Sequence, residues 1–253
     1  MLKLLALLYA LAANLLFVAV YVYFIGFVGN VVVPKSIDSG LGGATMPALL
    51  VNVALLAAFA LQHTVMARTG FKRALARYLP ASIERASYVL MTTAVLAVLM
   101  WQWQAMPTVI WQVDNRIGSI LLTSLFALGW GIGLVAAKAF DMLALFGLRQ
   151  PLAALQGRLL RATPFATPGL YRLVRHPMMS GFLLSFWATP TMTVGHALFA
   201  SVMTVYIVIA VKFFEERDLK NTFGENYARY QRTVPMLVPS LTPTRHRSPT
   251  ADR

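Results

Sequence analysis

Residues 178–214 read MMSGFLLSFWATPTMTVGHALFASVMTVYIVIAVKFF and carry one charged side chain, Lys212. Pro190 and Gly195 interrupt the stretch, and both residue types break helices. The first arm, residues 178–189, spans only about 18 Å at 1.5 Å per residue, which is short of the ~30 Å hydrocarbon core of a bilayer. The second arm, residues 196–214, is almost long enough to cross. The pattern therefore predicts a helical membrane hairpin with one short arm.

Four further apolar stretches precede this hairpin, and each approaches or exceeds the ~20 residues that a spanning helix needs; they lie at 4–33, 46–66, 86–106 and 117–137. The 253-residue chain is 58% apolar and 12% charged, with no cysteine. Soluble domains are about half apolar and a quarter charged, so an ordinary soluble enzyme is excluded, as are thiolate metal sites and cysteine nucleophiles. We expect an all-α integral membrane protein, with four spanning helices plus the hairpin in a single domain over residues 1–241.

The positive charges are grouped by loop. Nearly all of the 22 lysines and arginines lie between the second and third stretches, between the fourth stretch and the hairpin, or from Lys212 onward. The positive-inside rule places these segments and both termini on the cytoplasmic side, which we expect to be that of a bacterial cytoplasmic membrane. The net charge of +13 therefore indicates orientation among membrane lipids rather than a nucleic-acid partner. Residues 242–253 are expected to form a disordered cytoplasmic tail.

The hairpin joins two polar segments, which must meet at the cytoplasmic face. Arg175 and His176 can donate to a carboxylate, whereas Glu215 and Glu216 can accept from an ammonium group. Adjacent acids cannot share a helix face, so the two glutamates must serve different partners. Aromatic faces for a purine or a cation come from three tyrosines, Tyr171, Tyr227 and Tyr230. The set suits a ligand such as S-adenosylmethionine; the alternative is a solvated face with weak ion pairs.

The motifs resemble known membrane enzymes. The last 90 or so residues are similar to the C-terminal core of isoprenylcysteine carboxyl methyltransferases and phospholipid N-methyltransferases, through Arg175-His176-Pro177-x-x-x-Gly181, Glu215-Glu216, Phe223-Gly224-x-x-Tyr227-x-x-Tyr230 and Val234-Pro235. Nearly the whole chain resembles bacterial methanethiol S-methyltransferases, through Gln62-His63, Glu84-Arg85-x-x-Tyr88, Trp101-Gln-Trp103, Phe146-Gly-Leu-Arg149-Gln150 and Phe186-Trp187. The resemblance implies methylation of a small volatile thiol, methanethiol, to dimethyl sulfide with S-adenosylmethionine.

The resemblance also implies a cofactor site within a core of about residues 141–239. Its lining would comprise Gln156, Thr163, Pro164, Phe165, Ala166, Tyr171, His176, Pro177, Met178 and Met179, with the cofactor's amino group on Glu215. Arg149 and Gln150 are expected to close over the cofactor, the alternative being a solvated loop turn, and Arg175 and Glu216 are expected to belong to the same site. Two positions depart from the wider family. Met179 stands where a tyrosine is usual, and Val211 replaces the arginine that holds a substrate carboxylate, which favours a small apolar acceptor.

Methylation of a thiol requires removal of its proton, and His63 is the best candidate base. It lies near the cytoplasmic end of the second stretch, where an ionisable residue at membrane depth is a functional candidate. Glu84, Arg85 and Tyr88 lie at the start of the third predicted helix, at the same membrane face, and are expected to shape the thiol site. The alternatives are that His63 only packs, that the other three form an interfacial ion pair and aromatic belt, or that thiolate binds directly from solution.

The remaining polar and aromatic residues are expected to have structural roles. Asp141 is expected to pair with Lys138 or Arg149, and His196, at the hairpin tip, is expected to be structural. The three residues Trp101, Trp103 and Trp111 fit an outer aromatic belt. The histidines are too scattered for a metal site.

Two other functions compete. One is methylation of a lipid or isoprenoid-linked acceptor. The other is a non-catalytic carrier or assembly factor, although a carrier should place its polar groups at the bilayer midplane. The sequence leaves the oligomeric state open.

Overall fold

The computed structural model describes residues 1–40, 45–139, 141–160 and 164–240. Its elements in chain order are α1 (Leu2–Gly29), α2 (Thr45–Ala67), α3 (Thr69–Leu75), α4 (Glu84–Gln102), β1 (Val109–Gln112), α5 (Arg116–Lys138), α6 (Met142–Leu145), α7 (Arg149–Gln156), a 3₁₀ turn (Gly169–Arg172), α8 (Pro177–Trp187), β2 (Thr191–Thr193), α9 (Val194–Ile209), a π segment (Ala210–Glu215), α10 (Glu216–Phe223) and α11 (Glu225–Thr233). The predicted helical class is confirmed, with one short β-ribbon added. The predicted tail at 242–253 lies outside the described residues.

Four helices of the described ranges are long and apolar enough to cross a membrane: α1, α2, α5 and the continuous helix Val194–Phe223. Helix α4 has 19 residues, or about 28 Å. It packs against α1 and α2. Because it begins with the charged pair Glu84–Arg85 and is less apolar than the other four, α4, which covers most of the third predicted stretch, is not among the four candidate spans. Helix α8 has 11 residues and is the predicted short arm of the hairpin. The second arm continues through the π segment into α10, so it is longer than predicted.

The loops segregate to two ends of the bundle. At one end β2 pairs antiparallel with β1, with Trp111 opposite Met192, and Asp38 from the α1–α2 connection accepts a hydrogen bond from the Thr193 hydroxyl. The α1–α2 connection, the α4–α5 connection and the hairpin tip, which carry few basic residues, therefore meet at this end. The arginine-rich segments collect at the opposite end, which we call the basic end; it comprises residues 68–85, 141–160, 164–176 and 212–240.

Local chemistry fixes the hairpin. Pro177 occupies the first turn of α8, where the missing N–H leaves no hydrogen bond unmade. At the tip, the Thr193 hydroxyl accepts from the backbone N–H of His196 at 3.1 Å and so caps α9. The His196 side chain is fully buried, and its Nε2 donates to the Phe186 carbonyl oxygen at 2.9 Å. His196 thus joins the two arms, which is the structural role predicted for it.

An aromatic core joins α1, α5, α8 and α9. Its rings meet mostly edge to face, with centroids 5.0–6.3 Å apart; they belong to Phe24, Trp130, Phe186 and Phe199. The prediction that Trp103 belongs to an outer belt is wrong. Its ring is 1% exposed and its Nε1 donates to the Ile37 carbonyl oxygen at 3.0 Å, because the chain folds the end of α4 under the α1–α2 connection. Trp101, by contrast, is 72% exposed.

Helices α5 and α8 approach closely where Gly181 of α8 meets Gly129 and Gly133 of α5. A Cβ atom on Gly181 would lie 2.9 Å from the backbone nitrogen of Gly133 and closer still to the Gly129 carbonyl oxygen. Small residues allow membrane helices to pack backbone against backbone in this way. The contact holds α8, and with it the residues that follow Pro177, against the end of α5.

We expect Gly181→Leu to force α5 and α8 apart and to lower the free energy of unfolding by about 1–3 kcal/mol, the usual cost of overpacking. Thermal unfolding in detergent measures this effect. Gly131→Leu is the matched control, because a Cβ atom on Gly131 meets no described atom within 4 Å. Equal unfolding temperatures for the two variants would contradict the close-packing interpretation.

Candidate active site

A cavity of about 440 Å³ opens at the basic end, within the size range of small-molecule sites. Its walls are the end of α5, α6, the segment before α8, the start of α8, and the helices that follow the π segment. Nine of the predicted cofactor residues line it: Pro164, Phe165, Ala166, Tyr171, Arg175, His176, Met178, Met179 and Glu215. The structure thus brings together two segments that are about 40 positions apart in the sequence.

The other predicted cofactor residues lie outside the described lining of the cavity. Arg149, at the start of α7, donates from Nη1 to Asp141 Oδ2 at 3.1 Å, which confirms the predicted Asp141–Arg149 pair; Asp141 itself lines the cavity. Gln150 has a buried Oε1 that finds no hydrogen-bond partner among the described residues. Gln156 is exposed at the end of α7, and Thr163 lies outside the described residues.

The two adjacent glutamates serve different surroundings, as predicted. The π segment ends at Glu215, and such segments are frequent at functional sites. The Glu215 side chain is 47% exposed and lines the cavity, with Oε2 lying 3.5 Å from Nδ1 of His176. The Glu216 side chain is 6% exposed and turns into the protein. His176 lies between them, since its Nε2 is 3.3 Å from Glu216 Oε1.

Glu216 is surrounded by donors. Arg175 Nε donates to its Oε1 at 2.6 Å, Gln231 Nε2 donates to its Oε2 at 2.8 Å, and the Tyr227 hydroxyl donates at 3.4 Å. The Arg175 guanidinium also donates to the carbonyl oxygens of Gln231 and Val234. These bonds tie the start of α8 to α11. Asp141, the other carboxylate of the described lining, pairs with Arg149, and the neighbouring Glu216 pairs with Arg175. Glu215 is therefore the lining carboxylate that is left most open to a ligand.

Aromatic rings form one wall of the cavity. The Phe165 ring centroid lies 5.3 to 6.2 Å from those of Phe223, Tyr227 and Tyr230. Burial, with Glu215 nearby, raises the pKa of Tyr171 to about 12. Burial likewise raises the pKa of Tyr230 to about 12 and that of Tyr227 further. All three hydroxyls are therefore neutral at physiological pH, and the wall is a set of uncharged aromatic faces.

Sequence reasoning missed Leu219 and Phe223, which also line the cavity. They follow Glu215 at intervals of four residues, so they share its face of the helix. That spacing could have identified them. Ala137, Ala144 and Leu145 complete the lining from α5 and α6. Their sequence carries no comparable signal, because apolar residues at these positions are equally typical of packing.

A second polar cluster lies between α2 and α4. The Tyr88 hydroxyl is 3.0 Å from each ring nitrogen of His63. The Arg85 guanidinium lies over the Tyr88 ring at 4.9 Å, and its Nε donates to the Leu145 carbonyl oxygen at 3.0 Å. Three of the four predicted thiol-site residues are therefore together. Glu84 is not with them, since its Oε1 lies 3.8 Å from Nζ of Lys72 in a partly exposed pair.

The two clusters face each other. Arg85 belongs to the second cluster, and the Leu145 carbonyl oxygen to which it donates lies in the cavity wall. Arg68, just after α2, pairs with Asp218 at 3.1 Å and lies over the Phe214 ring at 4.8 Å. It thereby ties the end of α2 to the helix that carries Glu215. An acceptor bound beside His63 would thus be close to a ligand bound at Glu215.

Comparison with known proteins gives a consistent result. The profile of the family described as phospholipid methyltransferase matches residues 159–226. Methanethiol S-methyltransferase 2 of Bradyrhizobium diazoefficiens is 48% identical over 94% of this chain and 92% of its own. The methanethiol S-methyltransferase of Pseudomonas deceptionensis is 52% identical over 85% and 81%, and that of Mycobacterium tuberculosis is 47% identical over 96% and 98%. No solved structure gives a significant match. Since these identities extend over most of both chains, the protein belongs to the methanethiol S-methyltransferase family.

Proposed function

We propose that this protein methylates methanethiol to dimethyl sulfide with S-adenosylmethionine, at the cytoplasmic face of the membrane. The observation that carries the proposal is Glu215, a half-exposed carboxylate in a cavity whose other walls are mostly apolar and aromatic. The names of the relatives support methanethiol as the acceptor. The arginine-rich loops support the cytoplasmic orientation.

The residues present fit the proposed cofactor. The Glu215 carboxylate can accept from an ammonium group, and the neutral rings around Phe165 offer faces to an adenine and to a positive sulfonium. When bound, S-adenosylmethionine supplies a methyl group on a positively charged sulfur. The chain's own residues supply orientation, which is worth several kcal/mol when two reactants are held in line.

His63 is the residue that we assign to proton removal. The thiol proton passes to a ring nitrogen of His63, a new bond forms between the thiol sulfur and the methyl carbon, and the sulfonium–methyl bond breaks. The products are dimethyl sulfide and S-adenosylhomocysteine. Once the proton is on His63, a negative thiolate meets a positive sulfonium, and both of these charges are lost in the methyl transfer. The apolar surroundings of α2 and α4 therefore favour the transfer over reaction in water, provided that binding offsets desolvation.

Headspace gas chromatography tests the proposal directly. Purified protein in detergent receives methanethiol and S-adenosylmethionine carrying a labelled methyl group, and labelled dimethyl sulfide is the expected product. Omission of either reactant should abolish it. A protein that binds S-adenosylmethionine in calorimetry but forms no dimethyl sulfide would overturn methanethiol as the acceptor.

Replacing Glu215 with alanine is expected to raise the KM for S-adenosylmethionine by about 10- to 100-fold, because a hydrogen bond to a charged group contributes about 1.5–3 kcal/mol. The same headspace assay measures this change. Glu225→Ala is the matched control, since it also removes one carboxylate near α10 but from a side chain that is 68% exposed. Equal KM values for the two variants would refute the role of Glu215.

A lipid acceptor is the second candidate, because the phospholipid methyltransferase profile matches residues 159–226, which include most of the proposed cofactor lining. Phosphatidylethanolamine vesicles with labelled S-adenosylmethionine test it, and we expect no labelled lipid. Val211 supports an uncharged acceptor rather than an isoprenylcysteine carboxylate, since it is 1% exposed within the apolar core. Labelled lipid in the absence of dimethyl sulfide would favour the lipid acceptor.

A further inference from the structure

Four aromatic rings lie together between the spanning helices and the basic end. They belong to Phe59 and His63 on α2, Tyr88 on α4 and Tyr206 on α9. We call this set the aromatic cluster. Phe59 stacks on the imidazole of His63, with centroids 5.5 Å apart and planes 17° apart. The Tyr88 ring lies 5.3 Å from the same imidazole, and the Tyr206 ring meets Phe59 edge to face at 6.4 Å. All four rings are partly buried.

The polar groups of the aromatic cluster hydrogen-bond to one another or to the neighbouring Thr64. The Tyr206 hydroxyl is 3.2 Å from Thr64 Oγ1, and the Tyr88 hydroxyl is bound to the His63 ring. What remains for a neighbouring molecule is aromatic surface together with the imidazole. Such a surface suits a small apolar molecule that has one acidic proton, and it offers no charged side chain of its own to hold a carboxylate or a phosphate.

Two elements link the aromatic cluster to the cofactor cavity. Tyr206 belongs to the same continuous helix as Glu215, Val194–Phe223, and Arg85 connects Tyr88 to Leu145 in the cavity wall. An acceptor whose sulfur is held at the imidazole would have the rings of Phe59 and Tyr88, 5.5 and 5.3 Å from that imidazole, beside its alkyl group. Tyr206 extends this surface through its contact with Phe59.

We propose that the aromatic cluster is the subsite for the thiol's alkyl group and that Phe59 limits this group to one or a few carbons. The inference rests on the proposed function and extends it to substrate size. The reaction is unchanged: the proton leaves the thiol for His63, and the sulfur takes the methyl group from the sulfonium. A longer alkyl chain would overlap the Phe59 ring, which cannot move without losing its contacts with His63 and Tyr206.

The test compares kcat/KM for 1-butanethiol with that for methanethiol in three proteins: the wild type, Phe59→Ala and Phe126→Ala. Phe126 is the matched control, because it is also a partly buried phenylalanine on a spanning helix but packs on Trp130, at 6.0 Å, away from the cluster. We expect the butanethiol-to-methanethiol ratio to rise about tenfold or more in Phe59→Ala, since a few methylenes discriminate to that extent, and to stay within about twofold in Phe126→Ala.

An unchanged ratio in an active Phe59→Ala protein would overturn the subsite, as would an equal rise in both variants. If Phe59→Ala does not fold, Phe59→Leu, which keeps most of the volume, should still raise the ratio measurably. A wild type that binds S-adenosylmethionine in calorimetry but methylates neither thiol would refute the proposed function instead. The two failures are therefore distinguishable.

Discussion

Replacement of Glu216 by alanine is expected to destabilise the protein by about 3–5 kcal/mol, because removing one partner of a buried ion pair leaves the other charge uncompensated. Arg175, whose side chain is 10% exposed, would keep its positive charge next to two backbone carbonyls but lose its carboxylate. The link between α8 and α11 would loosen with it. Thermal unfolding in detergent should show the loss as a large fall in the midpoint temperature.

Two further variants distinguish the stability lost by breaking a buried ion pair from that lost by removing a surface charge. The double replacement Arg175→Met and Glu216→Met removes both charges and should recover much of the stability, since a buried pair is often replaceable by apolar residues. Glu225→Ala breaks a pair with Arg232 in which both side chains are about two-thirds exposed, and it should leave the midpoint unchanged. If Glu216→Ala unfolds at the same temperature as Glu225→Ala, our interpretation of Glu216 is wrong.

Two glutamates that are neighbours in the sequence thus have separate tasks. Glu216 holds the wall of the cavity in place through Arg175, Gln231 and Tyr227. Glu215 faces the cavity from the last position of the π segment. Sequence reasoning predicted that they must differ, because adjacent residues on a helix point in different directions. It could not predict which one turns inward, since Gln231 and Tyr227 reach Glu216 only after α11 has folded back.

The hairpin and its two polar ends were predictable for a similar reason. Pro190 and Gly195 mark the tip in the sequence, and a chain that enters and leaves at one face must bring its flanking segments together. The ribbon between β1 and β2 was not predictable, because Thr191–Thr193 is only three residues long and is paired by tertiary contact. The prediction for Trp103 was wrong for the same kind of reason. A tryptophan at a helix end is typical of a membrane interface, and only the fold shows that the α1–α2 connection covers its ring.

Arg149 and Gln156 illustrate the limit of residue resemblance. Arg149 is expected to close over the cofactor, and the resemblance implies that Gln156 lines its site, yet Arg149 contacts Asp141 and Gln156 is exposed at the end of α7. Both belong to α7 (Arg149–Gln156), which follows α6 in the chain and does not reach the described lining of the cavity. Their roles toward the cofactor therefore stay predictions, whereas the placement of Tyr171, His176 and Glu215 around one cavity is observed.

Replacement of His63 by alanine is expected to lower kcat/KM for methanethiol by about 10²- to 10⁴-fold at pH 7, the usual contribution of a positioned general base. The thiol would then have to bind as thiolate from solution. A free cysteine thiol titrates near 8.5, and a simple alkyl thiol higher. Headspace measurement of dimethyl sulfide from pH 6.5 to 9 gives the rate, and calorimetry with S-adenosylmethionine should show unchanged cofactor binding.

The pH dependence of the rate shows whether His63 acts as a base or only packs. Without His63, the rate should rise about tenfold for each pH unit below the thiol's pKa, because only the thiolate fraction reacts; the wild type should depend on pH less steeply. Tyr88→Phe is the companion variant, since it keeps the ring 5.3 Å from His63 but removes the hydroxyl that lies 3.0 Å from both nitrogens. It should retain cofactor binding and show a shifted profile. A His63→Ala protein that loses activity equally at every pH would instead mean that His63 only packs, and that thiolate is supplied by the solution.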